Sequence, residues 1–276
     1  MSREIKIGLL GITGRLGSAI GRAVLQTPGL RLSGAVVRSG SALDGLDVGV
    51  ELTGEPCGTF ASVSFEAGLA GADIVIDASL PELTASAANY LAKQGNIGFV
   101  SGVTGLDSDQ MKTLESACEH IPVLHAGNFS LGVAMAERLV AMAASLPAAD
   151  WDIEIEESHH RMKADAPSGT ALMLGRAAAN TRGVDLEANV DWARHGHTGA
   201  RETGKIGFAV TRGGGIIGEH AVRFLSSEEE ISISHRAFDR SVFARGAVTA
   251  AAWLKPESGL RAPGLYTMQD VVSGAA

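Results

Sequence analysis

Residues 5–20 read IKIGLLGITGRLGSAI, and this stretch decides the first half of the fold. A short apolar run, Ile5–Leu10, leads into Gly11, Gly14 and Gly17, spaced three apart where the pattern turns helical. A strand turning tightly into a helix needs glycine, because backbone must approach backbone, or a pyrophosphate at the helix N-terminus. The spacing is a variant of G-x-G-x-x-G with Thr13 at the middle glycine. It carries weight because a strand precedes it, a helix follows, and a second apolar run ends near Val37. No G-x-x-x-x-G-K-[ST] occurs, so a nucleotide-hydrolase phosphate loop is excluded.

Outward from this turn, apolar runs at residues 30–37, 74–78, 97–100 and 123–125 alternate with helix-length segments at 17–26, 82–94 and 108–120. Continuous apolar runs suit strands buried on both faces, and strand–helix alternation predicts a parallel sheet flanked by helices. Near Trp151 the pattern changes. Trp151, Ile153 and Ile155 alternate with Asp152, Glu154 and Glu156, as in a strand with one wet face. Strand-like runs at 206–211, 220–225 and 231–235 follow, with a helix expected over 170–181. The fold class expected is α/β: a Rossmann-type parallel-sheet domain plus a smaller α+β domain with a mainly antiparallel or mixed sheet. A helix over 240–254 is expected to pack back on the first domain. The boundaries are 1–128, completed by 241–276, for the dinucleotide-binding domain and 129–240 for the second.

Composition narrows the function class. The chain has 35 glycines in 276 residues, nearly twice the usual share of about 7%. Its 23 basic and 31 acidic residues give a net charge of −8, which argues against nucleic acid as a partner. No charge-free stretch reaches the roughly 18–20 apolar residues of a membrane span. Arg3, Glu4 and Lys6 surround the first apolar run without a small-residue cleavage site, and Cys57 and Cys118 form no CxxC, so a cytoplasmic protein with reduced thiols is expected.

The end of the second strand bears on the cofactor. An NAD-preferring site usually has an acid about 20 residues beyond the glycines. Val37 stands there instead and Arg38 follows. A guanidinium can hold a 2′-phosphate bidentately, so NADPH is expected to be preferred, with NADH the alternative.

The densest chemistry lies at HHRMKADAPSGTA, residues 159–171. His159, His160, Arg161 and Lys163 supply up to four positive charges, and Pro167-Ser168-Gly169-Thr170 opens a helix whose free N–H groups suit a carboxylate. The pattern points to a small anionic substrate, a dicarboxylate, with a lysine and a histidine to supply protons. The bland alternative is a solvated basic loop paired with Glu154, Glu156 and Glu157, with Asp165-Ala166-Pro167 capping the helix. No metal site is expected, since adjacent histidines on a strand point to opposite sides and no HExxH exists. His195 and His197 could share a strand face but lack a ligand partner. A dinucleotide site and an anion site together make hydride transfer the leading reaction class.

The segment ESHHRMKADAPSGTA, 157–171, resembles the signature of the 4-hydroxy-tetrahydrodipicolinate reductase family, the dihydrodipicolinate reductases of the diaminopimelate route to lysine. Family-like segments also occur at GITGRLG (11–17), GVTG (102–105), GNFSLGV (127–133), GHTGAR (196–201), IGFAVTRGGGIIGEH (206–220) and DRSVFARGAV (239–248). The resemblance implies a homotetramer assembled through the second domain. It implies dinucleotide contacts from Gly11, Ile12, Thr13, Gly14, Arg15, Leu16, Arg38, Gly102, Val103, Thr104, Ala126, Gly127, Asn128 and Phe129. By the same resemblance His159 is the acid/base residue, Lys163 the proton donor, and His160, Gly169 and Thr170 bind substrate carboxylates. The sequence departs from the family pattern at Val37, at Asp77-Ala78-Ser79-Leu80-Pro81, where Ser79 replaces a threonine, and at Val103 in the GVTG loop. A reductase of another cyclic imine or keto acid, and a non-catalytic dinucleotide-binding redox sensor, are the competing readings.

Overall fold

The structure, a computed structural model, describes residues 4 to 274; Arg3 of the charged N-terminal flank lies outside them. The first part of the chain runs through β1 (Ile5–Leu10), α1 (Arg15–Gln26), β2 (Leu30–Val36), α2 (Val48–Thr53), β3 (Ala61–Ser62), α3 (Phe65–Gly68), β4 (Ile74–Asp77), α4 (Pro81–Gln94), β5 (Gly98–Ser101), α5 (Ser108–Ala117) and β6 (Pro122–His125). There follow α6 (Leu131–Ala144), β7 (Asp152–His159), α7 (Gly169–Thr181), β8 (Val190–Asp191), β9 (Ile206–Arg212), β10 (Glu219–Leu225) and β11 (Glu230–Arg236). The chain ends with α8 (Ser241–Leu254), β12 (Gly264–Tyr266) and α9 (Met268–Ser273). It divides into two compact units, Met1–Ser130 with Ser241–Ala276, and Leu131–Arg240.

The first unit holds a seven-stranded sheet ordered β12-β6-β5-β4-β1-β2-β3, every pairing parallel. Six of these strands follow the order of a Rossmann sheet, with the reversal between β1 and β4. The apolar runs account for it: Ile74, Val75 and Ile76 of β4 and Phe99 and Val100 of β5 are fully buried, as strands covered on both faces must be. Leu10, Val75, Phe99 and Val123 of the sheet pack with Ala87, Ala88 and Leu91 of α4 and Leu114 and Ala117 of α5. Helix α8 packs on α1, β4 and β5.

The second unit holds a five-stranded sheet ordered β11-β10-β7-β9-β8. It is mixed: β11, β10 and β7 pair antiparallel, whereas β7, β9 and β8 pair parallel. Helices α6 and α7 cover one face. Ile153, Ile155, Val222, Phe224 and Phe208 of the strands pack there with Val140, Leu174 and Ala178. The other face is polar, with Arg194 and Arg201 on Glu154 and with Arg223 between Glu156 and Glu230.

Helix α6 was not expected from the sequence, since LGVAMAERLVAMAA has an even apolar spread rather than one sharp stripe. His195 and His197 sit exposed in the irregular loop between β8 and β9 rather than on a strand face. Among the described residues, no helix is long and apolar enough to cross a membrane.

Candidate active site

In the first unit, every residue assigned to the dinucleotide lies just beyond the carboxyl end of a parallel strand. Gly11, Ile12, Thr13, Gly14, Arg15 and Leu16 follow β1, and Arg38 follows β2. Gly102, Val103 and Thr104 follow β5, and Ala126, Gly127, Asn128 and Phe129 follow β6. This edge, at the reversal of strand order, is where open α/β sheets bind ligands.

The glycines have separate structural reasons. Gly11 has φ +80°, and a Cβ there would lie 2.4 Å from the Ala78 carbonyl oxygen at the end of β4. A Cβ on Gly17 would meet the Gly11 carbonyl oxygen at 2.0 Å, so both glycines are needed for the turn to close. Gly14 is the N-cap of α1, which has no side-chain cap and no acid in its first turn. That helix start keeps its orphan N–H groups and positive dipole end available to an anion such as a pyrophosphate. Ile12 is buried and anchors the turn, whereas Thr13, Gly14 and Arg15 are exposed.

A buried acid braces the adjacent loops. Asp77 accepts hydrogen bonds from the Ser79 hydroxyl and backbone N–H, from Thr84 at 2.6 Å and from Ser101 at 3.2 Å. Its own carbonyl accepts from Gly102 N at 2.9 Å, which ties the Gly102 loop to β4. Burial pushes the Asp77 carboxyl upward, with the Ser79, Thr84 and Ser101 donors opposing. Ser79 thus supplies the hydroxyl at the position where the family pattern has threonine. At the end of β2, Val37 is buried and Arg38 exposed, so of these two the arginine is the accessible one.

In the second unit, the alternation of β7 continues past the apolar residues. Ile153, Ile155, Glu157 and His159 form one buried row, because side chains two apart share a face. Val222 and His220 of β10 lie opposite Ile155 and Glu157, and Arg212 of β9 lies opposite His159. At the end of that row, Glu157 Oε2 is 2.6 Å from His159 Nδ1 and accepts from Arg212 Nη1 at 2.7 Å. Glu157 Oε1 accepts from Arg212 Nη2 at 2.7 Å and from the Ser168 backbone N–H at 2.9 Å.

Ser168 is the N-cap of α7; its hydroxyl accepts from Ala171 N and lies 3.0 Å from His220 Nε2. The bland alternative's cap at Asp165 does not form; its carboxylate instead pairs with Lys163 Nζ at 2.8 Å. The ring of His159 meets that of His220 edge-on at 5.2 Å. Gly169 is exposed, with open space where a Cβ would stand; Thr170 next to it and His160, just after β7, are half-buried. The helix start therefore combines accessible backbone with a firm anchor.

The electrostatics follow from these contacts. Burial pushes Glu157 up, but hydrogen bonds from Arg212, His159 and Ser168 outweigh it and hold the carboxyl below its usual range. Lys163 is the main cause that holds Asp165 low. Burial, reinforced by the nearby His159, drives His220 down to about 4, so it stays neutral at physiological pH. Among the described residues, no group of three or more His, Cys, Asp or Glu could hold a metal ion.

Sequence reasoning did not assign Glu157, Arg212 or His220 to this cluster. Glu157 was legible: extending the period of two from Ile153 and Ile155 reaches it and His159. Arg212 and His220 carried no local signal. Nor do the acids of β7 pair with the basic loop as a group: Glu154 and Glu156 face arginines on the opposite side of the sheet.

Residues 5–129 match the family model described as dihydrodipicolinate reductase, N-terminus, and residues 132–272 the one described as dihydrodipicolinate reductase, C-terminus. A 4-hydroxy-tetrahydrodipicolinate reductase of Caulobacter vibrioides is 44% identical over 273 residues, covering 99% of this chain and 98% of the relative. Its counterpart in Allorhizobium ampelinum is 46% identical over 270 residues, covering 97% and 98%. Among solved structures, a dipicolinate-bound dihydrodipicolinate reductase from Paenisporosarcina sp. TG-14 shares the fold with a TM-score of 0.74 at 21% identity, covering 96% of this chain and 97% of that one.

Proposed function

The chain belongs to the dihydrodipicolinate reductase family, and from that premise we propose that it reduces 4-hydroxy-tetrahydrodipicolinate to tetrahydrodipicolinate with loss of water. The reaction would serve the diaminopimelate route to lysine. The observation that carries this reading is the likeness to reductases of that name, which runs through both units at 44% identity.

On this reading 1–128 with 241–276 is the dinucleotide-binding domain, and 129–240 binds substrate and forms a homotetramer in the cytoplasm. A nicotinamide dinucleotide supplies hydride when bound. The uncapped start of α1 fits its pyrophosphate, with Gly11–Leu16, Gly102–Thr104 and Ala126–Phe129 as contacts. Exposed Arg38 beside buried Val37 favours a 2′-phosphate, and hence NADPH over NADH. The dipicolinate bound by the solved relative is a small dicarboxylate, which supports the same substrate class here.

In the second unit His160, Gly169 and Thr170 would bind carboxylate oxygens, using N–H groups at the start of α7. The bound dinucleotide would supply hydride to the unsaturated ring left when the hydroxyl departs as water. Lys163 then donates the proton that balances the addition, and His159 takes up and returns protons at Nε2. Lys163 Nζ is paired with the Asp165 carboxylate at 2.8 Å, a contact for which substrate carboxylates would compete.

The test follows absorbance of the reduced dinucleotide with substrate made in situ by the preceding synthase. NADPH oxidation should require substrate. His159→Ala and Lys163→Ala should each lower kcat by about 10²–10⁴-fold. Arg38→Ala should raise the KM for NADPH about tenfold and leave that for NADH unchanged, since one charge-assisted bidentate contact is lost. Oxidation of neither NADPH nor NADH above background would overturn the reading.

A further inference from the structure

The buried carboxylate of Glu157 has no part in the assignments made so far, yet four hydrogen bonds converge on it. Two arrive from Arg212, one from the Ser168 backbone and one from His159 Nδ1. An ionised carboxylate only accepts, so Nδ1 of His159 must carry the hydrogen. The lone pair of the neutral ring is then at Nε2. A Cβ on Gly218 would stand 3.1 Å from Nε2, so the glycine leaves room on that side.

We propose that Glu157 is a positioning residue that acts through His159. It selects the Nδ1–H tautomer, so that Nε2 is the nitrogen exchanging the reaction's proton. The same carboxylate holds the Ser168 N–H, so one group ties the proton-transfer histidine to the start of α7, where Gly169 and Thr170 lie. Arg212, bidentate on Glu157 and bonded to the Asp165 carbonyl at 2.7 Å, keeps the acid ionised. The proposal rests on His159 being the acid/base group of the proposed reduction. A purely structural Glu157–Arg212 pair joining β7 to β9 is the competing account.

Glu157→Gln separates the two. A glutamine offers one oxygen and one NH₂ where the glutamate offers two oxygens. Arg212 donates to both positions and so does not choose between them, but the Ser168 N–H at one cannot give up its hydrogen, whereas His159 at the other can move its own from Nδ1 to Nε2. The amide NH₂ therefore settles against His159 and the tautomer inverts. The charged groups around that ring are Glu157 of β7, Arg212 of β9, and Lys163 and Asp165 of the following loop, with neutral His220 on β10; the substitution changes only the first.

The experiment uses the full-length protein labelled with ¹⁵N-histidine. In the wild type, the His159 ring should show Nδ1 as the protonated nitrogen at pH above its titration; in Glu157→Gln the two ring-nitrogen shifts should exchange. In parallel, kcat should fall about 10²–10⁴-fold, as when a histidine loses its orienting carboxylate. The KM for substrate should stay within about threefold, because Ser168 keeps an oxygen acceptor. The histidine limb of the kcat–pH profile should move with the tautomer. A wild-type ring protonated at Nε2 would overturn the proposal without any variant. So would a Glu157→Gln protein with unchanged kcat and pH profile beside an active wild type. An inactive wild type would instead count against the proposed reaction.

Discussion

At the residue scale, the second unit places a glycine directly beside the ring of His159. Gly218 is in a backbone conformation open to any residue, yet a Cβ would approach His159 Nε2 to 3.1 Å and Cδ2 to 3.5 Å. His159 has little room to yield, being bonded to Glu157 and packed edge-on against His220. Gly218→Ala should therefore keep the thermal midpoint within a few degrees while lowering kcat about tenfold or more, because access to Nε2 is obstructed. Gly215→Ala is the control: no atom lies within 4 Å of its added Cβ, so kcat should hold. Equal activity of the two variants would show that the space beside Nε2 is not used. The sequence alone marks 213–218 as glycine-rich without separating these roles, since the difference lies in which glycine faces the histidine.

At the element scale, the Ala-rich helix α8 shows how close approach overrides local preference. Gly246 lies in its second turn, where helix propensity favours alanine by about 1 kcal/mol. A Cβ there would come within 1.8 Å of the Phe129 carbonyl oxygen, in the loop after β6. That overlap costs about 1–3 kcal/mol or more in a packed interior, so the clash wins. Gly246→Ala should lower the unfolding midpoint and also weaken dinucleotide binding, because the displaced loop is Ala126–Phe129; denaturation and dinucleotide titration together check this. Strand β7 shows how much of an element is legible. Its period of two is plain from Trp151 to Ile155 and, carried onward, puts Glu157 and His159 in the buried row. What that row faces is not legible. Arg212 is 55 residues beyond Glu157, and the parallel register of β7 with β9 brings it opposite His159.

At the scale of the whole molecule, buried ionisable groups make stability depend on pH. The folded His220 has a pKa lowered to about 4 from an ordinary 6.5. Between those values the unfolded chain binds a proton that the folded protein does not, so stability falls as pH drops through this window. His125 and His235, both lowered by burial, act in the same direction. Glu157 and Asp165, held low by their partners, add losses at lower pH, whereas the raised Asp77 carboxyl works in the opposite sense. The urea midpoint should decline from pH 7 to pH 4. His220→Gln, which keeps an acceptor for Ser168, should flatten that decline by up to about 1.4 kcal/mol per pH unit, one proton's share. An unchanged slope would mean that His220 does not stay neutral in the fold.

The sequence by itself determined the parallel sheet of the first unit and the glycine turn at its strand reversal. These follow from local rules: doubly buried strands are continuously apolar, and a tight strand–helix turn needs glycine. It also located the basic loop and the start of α7. Only the tertiary structure decided that His159, at the end of β7, meets Glu157, that Arg212 holds this acid low, and that His220 and Glu157 hold Ser168 from two strands. The reason is physical. Side-chain periodicity is a property of one strand, whereas these contacts depend on the register of β7 with β9 and β10, set by pairing segments more than 50 residues apart.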